Sequence, residues 1–222
     1  MQQLRRLGRT LFFWCLLPLP LAGGKGLDMI NNWTDEVVAT AERRWGNTCP
    51  GHVADMVLSI NDGESVLDLG CGFGRLLDLL EIKDYMGYDS SEAMVKRFRK
   101  KWWKRKDDVV CRDILKPFDH TADVVIAINV FIHLTTGEQR MVLENIRYIY
   151  PKRVVFNIHS EESEKDDFVE IAGVEFRNHR NNLDSFEVIV NEIFGENYAV
   201  ERNDYRLRKG RVGHIFILSK EE

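Results

Sequence analysis

The stretch VLDLGCGFGRLLDLL, residues 66–80, decides the fold. Apolar residues of strand character run into Gly70, Gly72 and Gly74 and then into a short helical pattern. Glycine permits positive φ and removes the side chain that keeps a ligand off the backbone, so the turn marks a binding edge. Its spacing sorts the ligands. A phosphate loop needs GxxxxGK followed by Ser or Thr, and no such lysine is present; the dinucleotide pattern GxGxxG needs a third glycine where Arg75 stands. The turn is GxGxG, with Asp68 two residues ahead of it.

Working outward, strand and helix signals alternate. Strands are expected at 65–70, 85–89, 108–113, 122–130 and 153–160, and helices at 74–81, 91–106 and 137–150. ADVVIAINV (122–130) is almost unbroken in apolar character, as befits a central parallel strand covered on both faces. Two helical pieces precede the glycine strand, between Trp33 and Ile60, broken at GNTCPG. A polar stretch, 161–182, leads to a helix at 183–194, and YAVERNDYRL and GHIFILSK close the chain as a hairpin around RKGR. The fold class is α/β: a doubly wound, Rossmann-like, seven-stranded and mostly parallel sheet with an antiparallel C-terminal strand and helices on both faces.

The chain has 222 residues, 44% hydrophobic and 30% charged, enough for one domain with a sizeable core. Cys15, Cys49, Cys71 and Cys111 show no CxxC pair, which favours a reducing compartment and gives no zinc site. Residues 1–28 differ from the rest. Arg5, Arg6 and Arg9 precede the apolar run Leu11 to Ala22, a signal-like layout too short for stable membrane insertion, and 29–222 is the single domain. Without that segment's four basic residues and one acidic residue the body carries a net charge of about −7 and has no bulk attraction for nucleic acid.

Asp89 closes the second strand and Asp113 the third. At those positions a carboxylate can accept from ribose hydroxyls and from the exocyclic amine of adenine. Asp89, ahead of SSE, also suits a helix cap. Acids after three successive strands point to a ligand with hydroxyl and amino donors and no phosphate chain.

VLDLGCGFG, YMGYDSS, CRDILKPF and ADVVIAINVFIHL, in this order, resemble the successive motifs of class I S-adenosylmethionine-dependent methyltransferases, over roughly residues 64–160. The resemblance implies S-adenosyl-L-methionine as cofactor. It places Asp68, Gly70, Cys71, Gly72 and Gly74 at the methionine end, Asp89 and Ser90 at the ribose, Asp113 and Ile114 at the adenine edge, and Asn129 near the sulfur. The family carries NPPY or DPPY after the fourth strand in its amine-methylating nucleic-acid enzymes; NVFIHL instead looks like the small-molecule, type-11-like branch. The implied acceptor is a small molecule, with an RNA or protein acceptor and a non-catalytic binding module as alternatives. A cytosolic cofactor favours a cytoplasmic protein whose translation begins at Met29 over a cleaved signal or a weak membrane anchor.

Methyl transfer needs alignment and exclusion of water, and a base only where the nucleophile must lose a proton. His133 and His159, at the active ends of the fourth and fifth strands, are the candidates, His133 ahead of His159, and a role packing over the cofactor or capping the next helix is favoured over a base for each. His52, His120, His179 and His214 stand in no motif. Acceptor choice is assigned to residues 33–60, the FIHLTTGE loop and 161–182. KRFRKKWWKRK (96–106) holds eight basic residues, but Val95, Phe98 and Trp102 share a buried face, leaving the charges solvated rather than tracking phosphates.

Overall fold

The computed structural model describes residues 33–45, 51–207 and 211–221. The segment 1–28, Cys15 and Cys49 lie outside the described residues. Strands β1 (Val66–Leu69), β2 (Tyr85–Asp89), β3 (Val109–Cys111), β4 (Val124–Ala127) and β5 (Arg153–Glu161) pair in parallel in the order β3-β2-β1-β4-β5. Beyond β5, β9 (Val212–Lys220) runs antiparallel to it from Arg153 opposite Ser219 to Ser160 opposite Val212, and β8 (Tyr198–Arg206) pairs antiparallel with β9. These seven strands form the expected doubly wound sheet.

Helices α1 (Asp35–Trp45), α2 (Gly51–Leu58), α3 (Arg75–Leu79), α4 (Glu92–Lys101), α5 (Thr136–Tyr148) and α6 (Leu183–Phe194) surround it. Strand residues alternate between two cores. Leu67, Leu69, Val125, Phe156 and Phe216 pack with Val142 and Ile146 of α5 and Phe186 and Val190 of α6. Val66, Val124, Ile126 and Val155 pack on the other face with Met56 of α2, Leu76 of α3 and Phe98 of α4. The period of two along a strand produces this division directly. Among the described residues no helix is long and apolar enough to cross a membrane.

Two boundaries differ from the sequence reading by three residues or more at the C-terminal end of a long element. β4 ends at Ala127 because Asn129 enters the left-handed region (φ 57°), after which a 3₁₀ turn, Phe131–His133, leads to α5. A capping box sets the start of α5: the Thr135 hydroxyl accepts from the Glu138 amide while the Glu138 carboxylate accepts from the Thr135 amide. The basic helix ends at Lys101, and a 3₁₀ turn at Trp103–Arg105 follows.

The polar stretch 161–182 is a hairpin, β6 (Lys165–Ile171) against β7 (Val174–Asn182). It adds two strands to the sheet, and β7 joins β5 only where Ser160 faces Asn181 and Glu161 faces Asn182. Its sequence hid the strands because charge pairs replace apolar residues: Arg180, 2% exposed, is held by Glu161 and Asp167, and His179 by Asp166 at 2.7 Å.

Candidate functional site

The glycine turn joins β1 to α3. Gly70, Gly72 and Gly74 all have positive φ (64°, 55° and 81°), which side chains disfavour. A Cβ on Gly70 would stand 2.5 Å from Val130 Cγ2, and one on Gly74 would stand 2.6 Å from Trp102 Nε1. Gly72 differs, since a Cβ there would meet only Met94 Sδ, at 3.8 Å. The first and third glycines thus let the turn pack on the protein, and the middle one leaves a bare stretch of backbone.

Asp89 ties the turn to the end of β2. Its Oδ2 accepts from the Gly72 amide at 2.8 Å and its Oδ1 from the Ser91 amide at 2.9 Å. Burial raises its pKa to about 6 against the pull of those two amides. Ser91, next in line, is the N-cap of α4, accepting from the Met94 amide. The capping expectation at Asp89 therefore belongs to Ser91, with Asp89 orienting it. Ser90 lies half-buried between them, its carbonyl facing Cys111 Sγ.

Asp68 sits beneath the turn, 4% exposed, and its Oδ2 accepts from the Tyr85 hydroxyl at 2.8 Å. Burial, aided by the charge of Asp89 and opposed by Tyr85, raises its pKa to about 7. Cys71 is buried beside it, its thiol pushed well up by burial and the two acids, so it is no nucleophile at neutral pH. Asp113, half-buried after β3, uses Oδ1 to accept from the Leu115 amide at 2.9 Å. Ile114 beside it is 8% exposed.

Next to Val130, whose side chain packs at Gly70, Asn129 lies just past the end of β4. Its amide donates to Asn157 Oδ1 at 2.7 Å and its Oδ1 accepts from Asn157 Nδ2 at 2.9 Å, which holds its left-handed backbone. Asn157 Nδ2 also donates to the Tyr205 hydroxyl at 2.9 Å, and Tyr205 stacks on His52 with centroids 4.3 Å apart and planes 8° from parallel. His52, Asn157 and Tyr205 escaped the sequence reading. They come from α2, β5 and β8, and no local pattern links them.

The two candidate histidines are placed differently. His133 Nδ1 is 2.6 Å from the Arg177 carbonyl of β7, and burial lowers its pKa. His159 Nδ1 lies 3.0 Å from Asn178 Oδ1, and its pKa falls to about 4, chiefly through burial. Both bind the hairpin to the sheet. The three segments assigned to acceptor choice also meet here. Val37 of α1 packs with Ile171 and Phe176 of the hairpin, Val38 packs with Phe73 of the glycine turn, and Thr136 contacts His179 at 3.1 Å.

The chain was compared with known proteins. The family model described as a methyltransferase domain matches residues 66–151. Residues 66–151 are thus similar to a methyltransferase domain. A curated relative, an uncharacterized protein of Methanocaldococcus jannaschii, is 38% identical over 86 residues, 36% of this chain and 36% of that protein, so the match spans about a third of either. Among solved structures, magnesium protoporphyrin IX methyltransferase of Synechocystis PCC 6803 with bound S-adenosylmethionine superposes with a TM-score of 0.56 at 18% identity, covering 90% of this chain and 87% of that one. An S-adenosylmethionine-dependent methyltransferase of Clostridium acetobutylicum ATCC 824 gives 0.60 at 12% identity, covering 83% and 97%. The chain therefore shares its α/β fold with these structures, and its glycine turn and the ends of β2, β3 and β4 lie together at one edge of the parallel sheet.

The residues at this edge suit S-adenosylmethionine. The bare backbone at Gly72 admits a ligand, and the carboxylates of Asp68, Asp89 and Asp113 are suited to amino and hydroxyl donors rather than to phosphates.

Proposed function

We propose that the chain is an S-adenosylmethionine-dependent methyltransferase acting on an oxygen or nitrogen of a small molecule. The observation that carries this reading is the bond from the Gly72 amide to Asp89, which joins the GxGxG turn to the acid closing β2. When bound, S-adenosylmethionine supplies a methyl group activated by a positively charged sulfur. Asp89 accepts from the ribose hydroxyls with the lone pairs that Gly72 and Ser91 leave, Ser90 flanks it, and Asp113 and Ile114 take the adenine edge. Asp68 and the turn from Gly70 through Cys71 and Gly72 to Gly74 hold the methionine end, and Asn129 borders the reacting centre. Alignment and exclusion of water are the chain's main contributions.

A small acceptor is favoured by the cover over the site, where α1, the 3₁₀ turn and the β6–β7 hairpin meet. The Synechocystis neighbour, whose name specifies a porphyrin as its methyl acceptor, offers a precedent on the same fold. The test is calorimetry with S-adenosylmethionine on the wild type and on Asp89→Ala, then transfer of labelled methyl to extract fractions separated into metabolites, RNA and protein. Binding lost in the variant, with label in the metabolite fraction, is expected. Equal binding in both proteins overturns the site assignment, and label confined to RNA or protein overturns the acceptor class.

A further inference from the structure

We infer that His52 is the proton acceptor for the methyl acceptor's nucleophile, its Nε2 forming the polar end of the acceptor site. The inference rests on the methyltransferase reading and extends it to a residue outside the family motifs. Three observations meet at this ring. Its Nε2 is shielded from solvent and has no hydrogen-bond partner among the described residues, a costly state for a polar atom unless a ligand completes it. Its face is fixed by the stack on Tyr205, whose hydroxyl is in turn fixed by Asn157. Its neighbour is the Asn129 side chain, held on the ligand edge of the sheet by the same Asn157.

The ring thus sits between Asn129 and Tyr205 with its Nε2 uncommitted. The charged and titratable groups around it are Arg75 at the start of α3, Asp55 one turn along α2, and His159. Burial, with help from Arg75, lowers its pKa below the ordinary 6.5, outweighing Asn129 and Asp55, so the ring is neutral at pH 7 and free to accept a proton. His133 and His159 hold the hairpin through Nδ1, and among the described residues His52 alone has a buried ring nitrogen without a partner.

In the transfer step the nucleophile X–H forms the X–C bond to the methyl carbon as the C–S bond breaks. The electron pair of that bond goes to sulfur and cancels its positive charge. The X–H electrons remain on X, the proton passes to His52 Nε2, and the resulting imidazolium returns it to solvent after product release. No further reactant is required.

The probe is phenol, a small neutral hydroxyl donor. It is titrated into the full chain with S-adenosylhomocysteine present while the His52 Cε1–H resonance is followed by NMR. A saturable shift of that resonance is expected in the wild type and in His159→Gln, and phenol binding read by calorimetry is expected to weaken in His52→Gln and to persist in His159→Gln. S-adenosylhomocysteine binding is read in the same samples by calorimetry. Failure of the nucleoside to bind the wild type refutes the methyltransferase reading. Nucleoside binding with no phenol-induced shift at His52, or with calorimetric phenol binding unchanged in His52→Gln, overturns the present inference alone. Circular dichroism and nucleoside binding retained in His52→Gln exclude misfolding as the cause of the loss.

Discussion

The Gly72 amide donates to Asp89 Oδ2 at 2.8 Å, across the ends of two neighbouring parallel strands. One carboxylate thereby shapes the glycine turn, orients the cap of α4 through Ser91 and keeps lone pairs for a ligand. Asp89→Asn replaces one acceptor by a donor, which must face either the Gly72 or the Ser91 amide. The expected cost is about 1–3 kcal/mol of stability and about a tenfold or greater loss of S-adenosylmethionine affinity, since ~1.4 kcal/mol is a factor of ten. Denaturant unfolding and calorimetry check the two effects.

The three glycines separate packing from binding. Gly70→Ala and Gly74→Ala drive a Cβ into Val130 and Trp102 in addition to the strain of positive φ. Each is expected to cost roughly 2–4 kcal/mol, from overpacking and left-handed strain together. Gly72→Ala meets no clash and costs only about 1–2 kcal/mol of backbone strain. Its Cβ instead occupies the bare edge, so cofactor binding should weaken more than stability falls. Thermal melts with and without S-adenosylhomocysteine distinguish these outcomes.

The sheet and the glycine turn were legible because their signals are local: apolar runs set the strands, and alternate glycines with acids at strand ends set the edge. The hairpin 165–182 was illegible because, beside the apolar Ile171 and Phe176, its buried positions include His179 and Arg180, which with the half-buried Arg177 are paired with acids and defeat a reading based on hydrophobic alternation. Asn129 was legible as a position, but its left-handed backbone depends on Asn157, a partner on another strand. His52 was illegible for the same reason, since its significance arises only when β8 brings Tyr205 onto its ring.

The basic run 96–106 is expected to show no RNA binding at physiological salt. Lys96 pairs with Asp35, Arg97 with Glu42, Lys101 with Asp78 and Arg105 with Asp108, while Arg99 donates to the carbonyls of Lys106 and Val109. Phosphates would have to displace those partners on a chain of net charge −4. A mobility-shift series with labelled RNA across increasing salt checks this. A complex that weakens steadily with salt and vanishes in a Lys100→Glu, Lys104→Glu variant would show that the remaining cations suffice.

Asp68 is expected to make stability and, on the proposed assignment, cofactor binding depend on pH. Its folded pKa, about 7, lies above the ordinary carboxylate value of 3.8, with Tyr85, Cys71 and Asp89 as its facing groups. The folded chain therefore holds a proton that the unfolded chain releases. The associated stabilisation is fully present below about pH 4 and is lost as pH rises through about 7. Asp68→Asn keeps an oxygen for the Tyr85 hydroxyl and removes the titration, so its stability should vary less between pH 4 and 8. On the proposed assignment, the cationic methionine end of S-adenosylmethionine favours the ionised carboxylate, and binding below pH 7 drives a proton off Asp68. Wild-type affinity should rise as pH increases toward 7, and calorimetry in buffers of different ionisation enthalpy should register proton release that diminishes in Asp68→Asn. Release undiminished in that variant would place the titrating group elsewhere, with Asp89, whose pKa is raised to about 6, the next group to replace.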